Sequence, residues 1–171
     1  MESFNSFSHV STIMSEMDNI SVQEKYAPNS ICFGCGPANK KGLKIKSFRT
    51  KNGLKMKFET KSEHQAFPGI INGGIISTLL DCHGNWAATM ALMDQSKSNV
   101  PPCTVTASFS LKLKRPTPLD TILEISADIE NISEDRANVS MVLVAGGKIC
   151  ATGEGLFVAV NEGHPAYHRW N

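Results

Sequence analysis

The feature that most constrains the fold of this chain is an apolar run over residues 69–93 that carries two adjacent glycines and one carboxylate. Asn72 precedes Gly73 and Gly74, and Asp81 follows two turns later among isoleucine and leucine side chains. A carboxylate in such surroundings costs several kcal/mol unless a partner satisfies it or a reaction uses it. Glycines at a helix start leave unpaired N–H groups accessible. The run therefore predicts a buried helix that offers an oxyanion site and a carboxylate, a combination suited to attack on a carbonyl.

This apolar run is long enough to raise the question of a membrane span, but its polar residues argue against one. Asn72, Asp81, His83 and Asn85 lie within it, and the centre of a bilayer penalises such groups. The net charge of +1 supplies no bulk attraction to nucleic acid or to anionic lipid. We therefore expect a helix buried in protein, with no membrane partner and no nucleic-acid partner.

The length and the first residues indicate one domain with two tails. A chain of 171 residues is long enough for one sizeable core. We place that core at residues 31–162, between an N-terminal tail (1–30) and a C-terminal tail (163–171). Residues 1–24 contain four acidic residues and neither lysine nor arginine, unlike a transit peptide, and they show no secretory signal. We expect a cytoplasmic protein.

The cysteine pattern favours free thiols. There are five cysteines, an odd number, and Cys82 lies inside the apolar run, which points to a reducing compartment. Cys32-x-x-Cys35 has a spacing that also occurs at metal sites and at disulfide-exchange sites. A zinc site usually takes a second Cys/His pair at motif spacing, and none follows. We therefore expect a structural loop at this motif, with no metal and no redox cofactor.

Hydrophobic periodicity predicts the remaining elements. Apolar residues three and four apart predict a short amphipathic helix over residues 10–20. Alternation predicts strands at residues 43–46 and 54–58, with a hairpin turn at Asn52-Gly53. The long helix should end near Asp94. Further alternation predicts strands at residues 104–115, 119–132, 137–144 and 148–160.

This order of two strands, one long helix and four strands indicates an α+β domain. A single apolar helix beside a long antiparallel sheet is best buried when the sheet curls around it. We therefore predict a long central helix wrapped by a curved antiparallel sheet of about six strands.

Three motifs carry a family resemblance. They are Cys32-Phe-Gly-Cys-Gly with Asn39 and Gly42-Leu43, then Phe67-Pro-Gly-Ile-Ile-Asn-Gly-Gly continuing to Asp81, then Thr104-Val-Thr-Ala-Ser followed by Lys114-Arg-Pro-Thr-Pro-Leu119. Together they resemble hotdog-fold thioesterases of the phenylacetate-pathway and human thioesterase-superfamily type, over roughly residues 31–160. The resemblance implies the hotdog fold and the hydrolysis of acyl-coenzyme A (CoA) thioesters.

The motif residues have expected roles in such a reaction. The Gly73 N–H, at the positive end of the helix, is expected to hold the developing oxyanion. Asp81 is expected to act as nucleophile or general base, with a pKa raised by its apolar surroundings. Thr106, at the hydroxyl position of the family, is expected to hold the attacking water. The alternatives are a satisfied structural carboxylate for Asp81 and an ordinary strand residue for Thr106.

The sequence departs from the family pattern at two positions. A histidine precedes the two glycines in the family, whereas Asn72 stands here. Asparagine donates and accepts hydrogen bonds but carries no proton at neutral pH, so we expect Asn72 to position groups and to cap the helix. Some relatives hold water with an asparagine six residues earlier, where Ala66 stands. Water positioning therefore falls more heavily on Asp81 and Thr106.

Helix geometry adds a prediction about assembly. Gly73 and Asp81 are eight residues apart, which is roughly 12 Å along a helix. One carbonyl cannot reach both groups of the same helix. A two-fold homodimer with antiparallel helices would place Gly73 of one chain near Asp81 of the other. We predict composite active sites and an inactive monomer, with further pairing into a tetramer left open.

The expected substrate contacts are Gly74, His64, Lys114 and Arg115. CoA carries three phosphate groups, and Lys114 and Arg115 end a predicted strand near the expected site. Solvated outer strand faces are the alternative explanation for such cations. His64 either lines the entrance or is an ordinary loop histidine.

Two other functions remain open at this point. A hydroxyacyl dehydratase of the same fold resembles the chain at Phe67-Pro68-Gly69, but it uses a histidine directly before that tripeptide, where Ala66 stands. A non-catalytic acyl-CoA binding or regulatory module is favoured by the absence of the family histidine. Retention of Asp81 disfavours it, because a pure binder gains nothing from a buried carboxylate.

Overall fold

A computed structural model of the protein describes residues 20–170. The helix predicted over residues 10–20 lies outside the described residues, apart from Ile20. The described elements are α1 (Val22–Tyr26), β1 (Phe48–Arg49), β2 (Gly53–Phe58), a short 3-10 helix (Ser62–His64), β3 (Gln65–Phe67), β4 (Ile70–Ile71), α2 (Gly73–Gln95), β5 (Thr104–Leu113), β6 (Leu123–Ile132), β7 (Arg136–Ala145) and β8 (Lys148–Ala159).

One antiparallel sheet wraps the long helix α2. Its strand order is β1-β2-β6-β7-β8-β5, and α2 packs against β2, β5, β6, β7 and β8. Strands β3 and β4 pair separately, just before the helix begins. The predicted α+β architecture, with one long central helix and about six antiparallel strands, is confirmed. Strand β5 lies at one edge of the sheet and carries Thr106.

The strand predicted at residues 43–46 is wrong. These residues alternate between buried and exposed positions, with Ile45 buried, but they form no strand. Lys44 has a φ of 52°, and the N–H groups of Leu43 and Ile45 donate to Phe33 and Gly34 carbonyls. The alternation arises because this segment docks one side on the cysteine loop. The sheet begins only at Phe48, and the Asn52-Gly53 hairpin joins β1 to β2 as predicted.

The helix lies close to the sheet because one of its residues has no side chain. A Cβ atom built on Gly84 would lie 2.4 Å from Met141 Sδ and 3.0 Å from Phe157 Cζ. Both partners are buried on strands β7 and β8. A larger residue at position 84 would therefore have to displace the Met141 and Phe157 side chains or move α2 away from the sheet. Within residues 20–170, no helix has both the length and the apolar character needed to cross a bilayer.

The segment after β8 returns to the helix. Trp170 is buried, its Nε1–H donates to the Pro102 carbonyl at 2.9 Å, and its ring stacks on Trp86 of α2 at 4.4 Å. The neighbouring Arg169 donates from Nη1 to the Thr104 carbonyl at 2.7 Å. Residues of the predicted C-terminal tail thus pack on the middle of α2 and on the start of β5.

Candidate active site

Asn72 sets the geometry of the helix start. Its backbone is extended (φ −65°, ψ 135°), and its Oδ1 accepts a hydrogen bond from the Gly74 N–H at 2.7 Å. A Cβ built on Gly74 would lie 2.9 Å from that oxygen, so glycine lets the cap form. The N–H of Gly73 has no acceptor among the described residues. It is one of the unpaired donors at the positive end of the helix dipole.

Asp81 and Thr106, the two residues expected to position water, lie in direct contact. The Thr106 hydroxyl donates to Asp81 Oδ1 at 2.7 Å. Asp81 is half-buried and Thr106 is exposed. The pairing register of β5 shifts directly after Thr106, and such bulges commonly re-aim a side chain beside a functional site.

The environment of Asp81 raises the pKa of its carboxyl group. Burial is the largest cause, because it penalises the ionised form. The hydrogen bond from Thr106 and the positive charge of Arg169 oppose this and lower the pKa, while Cys32 raises it. A half-buried carboxylate with a raised pKa and one hydrogen bond has the properties of a general base.

Arg169 was not anticipated from the sequence. It comes 88 positions after Asp81, in a segment without a recognisable motif. Two contacts hold it near the site: Trp170 stacks on α2, and Arg169 donates to the Thr104 carbonyl. Its guanidinium also lies over the Trp170 ring, 4.3 Å from the centroid. The segment after β8 thus supplies the positive charge that acts on Asp81.

A polar row continues along the helix from Asp81 and was also missed. Asn85 Oδ1 accepts from the Thr104 hydroxyl at 2.7 Å, and the Thr89 and Thr104 hydroxyls lie 2.6 Å apart. Asp81, Asn85 and Thr89 are spaced by four residues, so they share one helix face. The sequence contained a pattern that could have predicted this row. Polar residues are spaced by four on the helix, and Thr104 and Thr106 occupy alternate positions of β5.

His83 lies nearly opposite to Asp81 around the helix, since two residues correspond to about 200° of rotation. It is fully buried, with its Nδ1 2.8 Å from the Ser47 hydroxyl and its Nε2 3.3 Å from the Leu54 carbonyl. Gln23 in turn donates to Ser47 Oγ and accepts from the Ser47 N–H, each at 2.9 Å. Burial lowers the pKa of His83 to about 4. The imidazole is therefore neutral, with Nε2 as the donor.

The expected substrate contacts are dispersed. His64 is buried, its Nδ1 accepts from the Lys61 N–H at 3.1 Å, and its ring packs on Phe58. Its carbonyl accepts from the Asn72 N–H at 2.8 Å, so it supports the helix start. Lys114 and Arg115 are exposed beyond the end of β5, and Arg115 Nη1 donates to the Ile149 carbonyl at 2.7 Å.

The Cys32–Cys35 loop contacts Cys82 of the helix. The Cys32 and Cys82 sulfurs are 3.8 Å apart. The pKa of the Cys32 thiol is lowered, because the Cys35 and Cys82 thiols and the N–H groups of Cys35 and Gly34 donate to its sulfur. No sequence spacing linked Cys82 to this loop.

The structure leaves Gly73 and Asp81 at different points of one helix, roughly 12 Å apart. A cavity of about 880 Å³ is lined by residues of β2, β6, β7 and the 43–46 segment, and neither Gly73 nor Asp81 lines it. Within one chain, the Gly73 N–H and the Asp81 carboxylate thus lie apart from each other.

Comparison with known proteins gives the fold a name. No protein-family model and no curated protein matches the chain. Among solved structures, a thioesterase superfamily protein from Shewanella loihica is 29% identical, with a TM-score of 0.59, over 73% of this chain and 98% of that one.

Two further solved structures are more distant in sequence. Zebrafish thioesterase superfamily member 2 is 18% identical, with a TM-score of 0.57, over 72% of this chain and 90% of that one. A Thermus thermophilus thioesterase, described as complexed with coenzyme A and Zn, is 14% identical, with a TM-score of 0.54, over 69% and 88%. The resemblance seen in the sequence is confirmed: the chain has the hotdog fold of the thioesterase superfamily.

Proposed function

We propose that the protein is a thioester hydrolase that converts an acyl- or aryl-CoA thioester to the free acid and CoA. The observation that carries the proposal is the pair of Asp81 and Thr106, a half-buried carboxylate with a raised pKa beside an exposed hydroxyl. An ionised carboxylate can accept about four hydrogen bonds, so one that receives fewer from the protein can accept from water. The described residues supply one to Asp81.

The reaction requires water, a base and a donor for the oxyanion. In the general-base route, Asp81 takes a proton from a water held by Thr106, and the water oxygen attacks the carbonyl carbon. The carbon–sulfur bond then breaks, and the CoA sulfur leaves and takes up a proton. In the nucleophilic route, the Asp81 carboxylate attacks first, and water hydrolyses the resulting anhydride. Both routes consume one water and yield one acid and one thiol.

The Gly73 N–H is the donor for the oxyanion. It is unpaired among the described residues, lies at the positive end of α2, and is kept open by the Asn72 cap on Gly74. Asn72 positions this donor without carrying a proton, which is the role left to it by the absence of the family histidine.

A homodimer would bring the two halves of the site together. Antiparallel packing of two α2 helices would place Gly73 of one protomer opposite Asp81 of its partner. The exposed edge strand β5, which carries Thr106, offers unpaired backbone groups of the kind that a second chain can cover. The substrate class is supported by the Thermus thermophilus neighbour, which is described as complexed with coenzyme A. Lys114 and Arg115 are the cations that we assign to the CoA phosphates.

The first test is release of free thiol from a panel of short, long and aromatic acyl-CoA esters. We expect wild-type turnover of at least one ester and a fall of about 100-fold or more in Asp81→Asn, the range for loss of a general base. Asp94→Asn is the matched control, because Asp94 lies on the same helix in an exposed ion pair with Arg49. Binding without turnover of any ester would replace the proposal with an acyl-CoA binding module.

The composite site is tested by mixing two inactive variants. Gly73→Pro removes the N–H donor at a position where proline suits a helix start, and the extended Asn72 is compatible with a following proline. Gly73→Ala keeps the donor and isolates the cost of the added Cβ, which would lie 3.3 Å from Leu113 Cδ1. Mixing Gly73→Pro with Asp81→Asn subunits should restore about a quarter of wild-type activity, because half of the dimers regain one intact site of two. Mixtures in which the two variants exchange subunits and still stay inactive would exclude the composite site.

A further inference from the structure

Three cysteine sulfurs lie close together beneath the loop that precedes the sheet. The sulfurs of Cys32, Cys35 and Cys82 all lie within 4.8 Å of one another, and those of Cys32 and Cys82 are 3.8 Å apart. Two thiolates on one tetrahedral zinc ion, each at about 2.3 Å, are separated by about 3.8 Å. One pair therefore already has the separation required of zinc ligands.

The loop is shaped so that it presents its two thiols to the helix. A Cβ built on Gly34 would lie 2.4 Å from Cys82 Sγ and 2.8 Å from Thr78 Cγ2, so glycine lets the loop approach α2 closely. A tight turn is closed by the Gly36 N–H, which donates to the Cys32 carbonyl at 2.9 Å. The N–H groups of Gly34 and Cys35 point at the Cys32 sulfur, an arrangement that favours a thiolate acceptor.

A buried donor without a partner points to the same place. Trp86 is 1% exposed, and its Nε1–H has no hydrogen-bond partner among the described residues. The group lies beside the Cys35 sulfur. Buried donors are nearly always paired, and neutral thiols are weak acceptors. A metal-bound thiolate at Cys35 would be a stronger acceptor for this indole than a neutral thiol is.

We propose that Cys32, Cys35 and Cys82 form a binding site for one Zn²⁺ ion per chain. Three thiolates are soft ligands of the kind that select zinc over magnesium or calcium. The described residues bring no fourth His, Cys, Asp or Glu into this group. The fourth position is therefore left to water or another small exogenous ligand, which the half-buried Cys32 side admits.

The site would tie the loop to the helix one residue away from Asp81. Cys82 follows Asp81 directly, and the loop residue Gly34 accepts from the Ile45 N–H. Metal binding would thus fix the segment leading into β1 against the middle of α2. This role is positional, and it stands whether or not the protein hydrolyses thioesters.

The test uses the full chain, purified without metal and kept reduced with a phosphine. Titration with Co²⁺ as a spectroscopic probe should produce a thiolate-to-cobalt charge-transfer band that saturates at one ion per chain, and added Zn²⁺ should remove the band. Cys82→Ser should reduce the saturating absorbance by at least half, and Cys32→Ser likewise. Cys150→Ser and Cys103→Ser, outside the cluster, should titrate like wild type.

A second measurement needs no variant and so does not depend on how the variants fold. Zn²⁺-loaded and chelator-treated wild type are alkylated under the same conditions, and each cysteine is quantified by mass spectrometry. Zinc should slow the modification of Cys32, Cys35 and Cys82 at least tenfold and leave Cys103 unchanged. The proposal is overturned by the absence of a cobalt band with reduced thiols, by an unchanged band in Cys82→Ser, or by equal alkylation with and without zinc.

Discussion

Asp81 and His83 lie two residues apart on one helix, yet they differ in burial and in hydrogen bonding. His83 is fully buried, and both of its ring nitrogens have partners, backed by Ser47 and Gln23. Asp81 is half-buried and receives one hydrogen bond from residues 20–170, donated by an exposed hydroxyl. The His83 network is what a structural polar group needs in order to be buried. The free acceptor positions of the Asp81 carboxylate leave it able to take a proton from water, as the proposed general-base route requires.

The two residues also differ in the direction in which protonation affects stability. The pKa of Asp81 is raised by burial, so folding disfavours its ionised form. Its contribution to stability therefore falls as the pH rises through the pKa of Asp81 in the unfolded chain and then through its pKa in the folded chain. The pKa of His83 is lowered to about 4 by burial, so its contribution is complete above about pH 6.5 and is lost as the pH falls towards 4. The role proposed for Asp81 and the structural role of His83 can thus be distinguished experimentally.

The largest effect is expected for a substitution of Asp81, and it tests most directly whether Asp81 and His83 have different roles. Asp81→Asn should lower kcat/KM by about 100-fold or more and should also raise the melting temperature at pH 7, because the ionised carboxylate is relieved. Each kcal/mol gained corresponds to about 2–4 °C for a chain of this size. Thermal unfolding and thiol release on one sample give both readouts. A lower melting temperature would assign Asp81 a structural role instead.

The second largest effect tests the structural role of His83. Wild type should lose up to about 3 kcal/mol of unfolding free energy between pH 6.5 and 4 through protonation of His83 in the unfolded chain. His83→Gln keeps a donor and an acceptor but cannot be protonated, so its stability should depend less on pH in that window. Urea titrations at several pH values measure this. Activity at pH 7 should change little, and a fall comparable to that of Asp81→Asn would contradict the division of roles.

A smaller effect sharpens the role of Thr106. Thr106→Val removes the hydroxyl that lowers the pKa of Asp81, so the acid limb of the kcat/KM profile should move to higher pH. The rate on the plateau should fall about tenfold, the value of one hydrogen bond to a charged group. Thr106→Ser retains the hydroxyl and should keep the wild-type profile. An acid limb that is the same in wild type and Thr106→Val would separate Thr106 from the reacting carboxylate.

The smallest expected effect concerns Arg169. Its positive charge lowers the pKa of Asp81 without a direct hydrogen bond, so Arg169→Gln should also move the acid limb upward, by less than Thr106→Val does. The plateau rate should fall by less than about threefold, because charge effects at this range are partly screened. Arg136→Gln is the control, since Arg136, at the start of β7, forms an exposed ion pair with Asp135. Raising the ionic strength should reduce the difference between Arg169→Gln and wild type.

The sequence was sufficient for the fold because its strongest signals are local. The long apolar run gave α2, period-two alternation gave β5 to β8, and Asn52-Gly53 gave the hairpin. At residues 43–46, alternation wrongly predicted a strand. One side of this segment is buried because it contacts the cysteine loop. Asp81 and Thr106 were each singled out from a family motif, and their contact with one another is seen in the structure.

The remaining parts of the site depend on contacts between distant segments. Cys82 meets Cys32 across 50 positions, and Arg169 reaches Asp81 only after the segment behind β8 folds back. Neither contact leaves a periodic trace in the sequence. Both depend on how a loop without regular structure packs against the helix, which local propensity does not encode.

The stacked pair of Trp86 and Trp170 has an optical consequence. These are the chain's two tryptophans, and they lie 4.4 Å apart. Ultraviolet excitation selective for indole therefore illuminates a single location, where the end of the folded chain lies over the central helix. Tryptophan fluorescence of the unlabelled protein therefore reports on the contact between Trp86 and Trp170. A red shift of this emission, without loss of the β-sheet signal in circular dichroism, would indicate that the segment after β8 has been released.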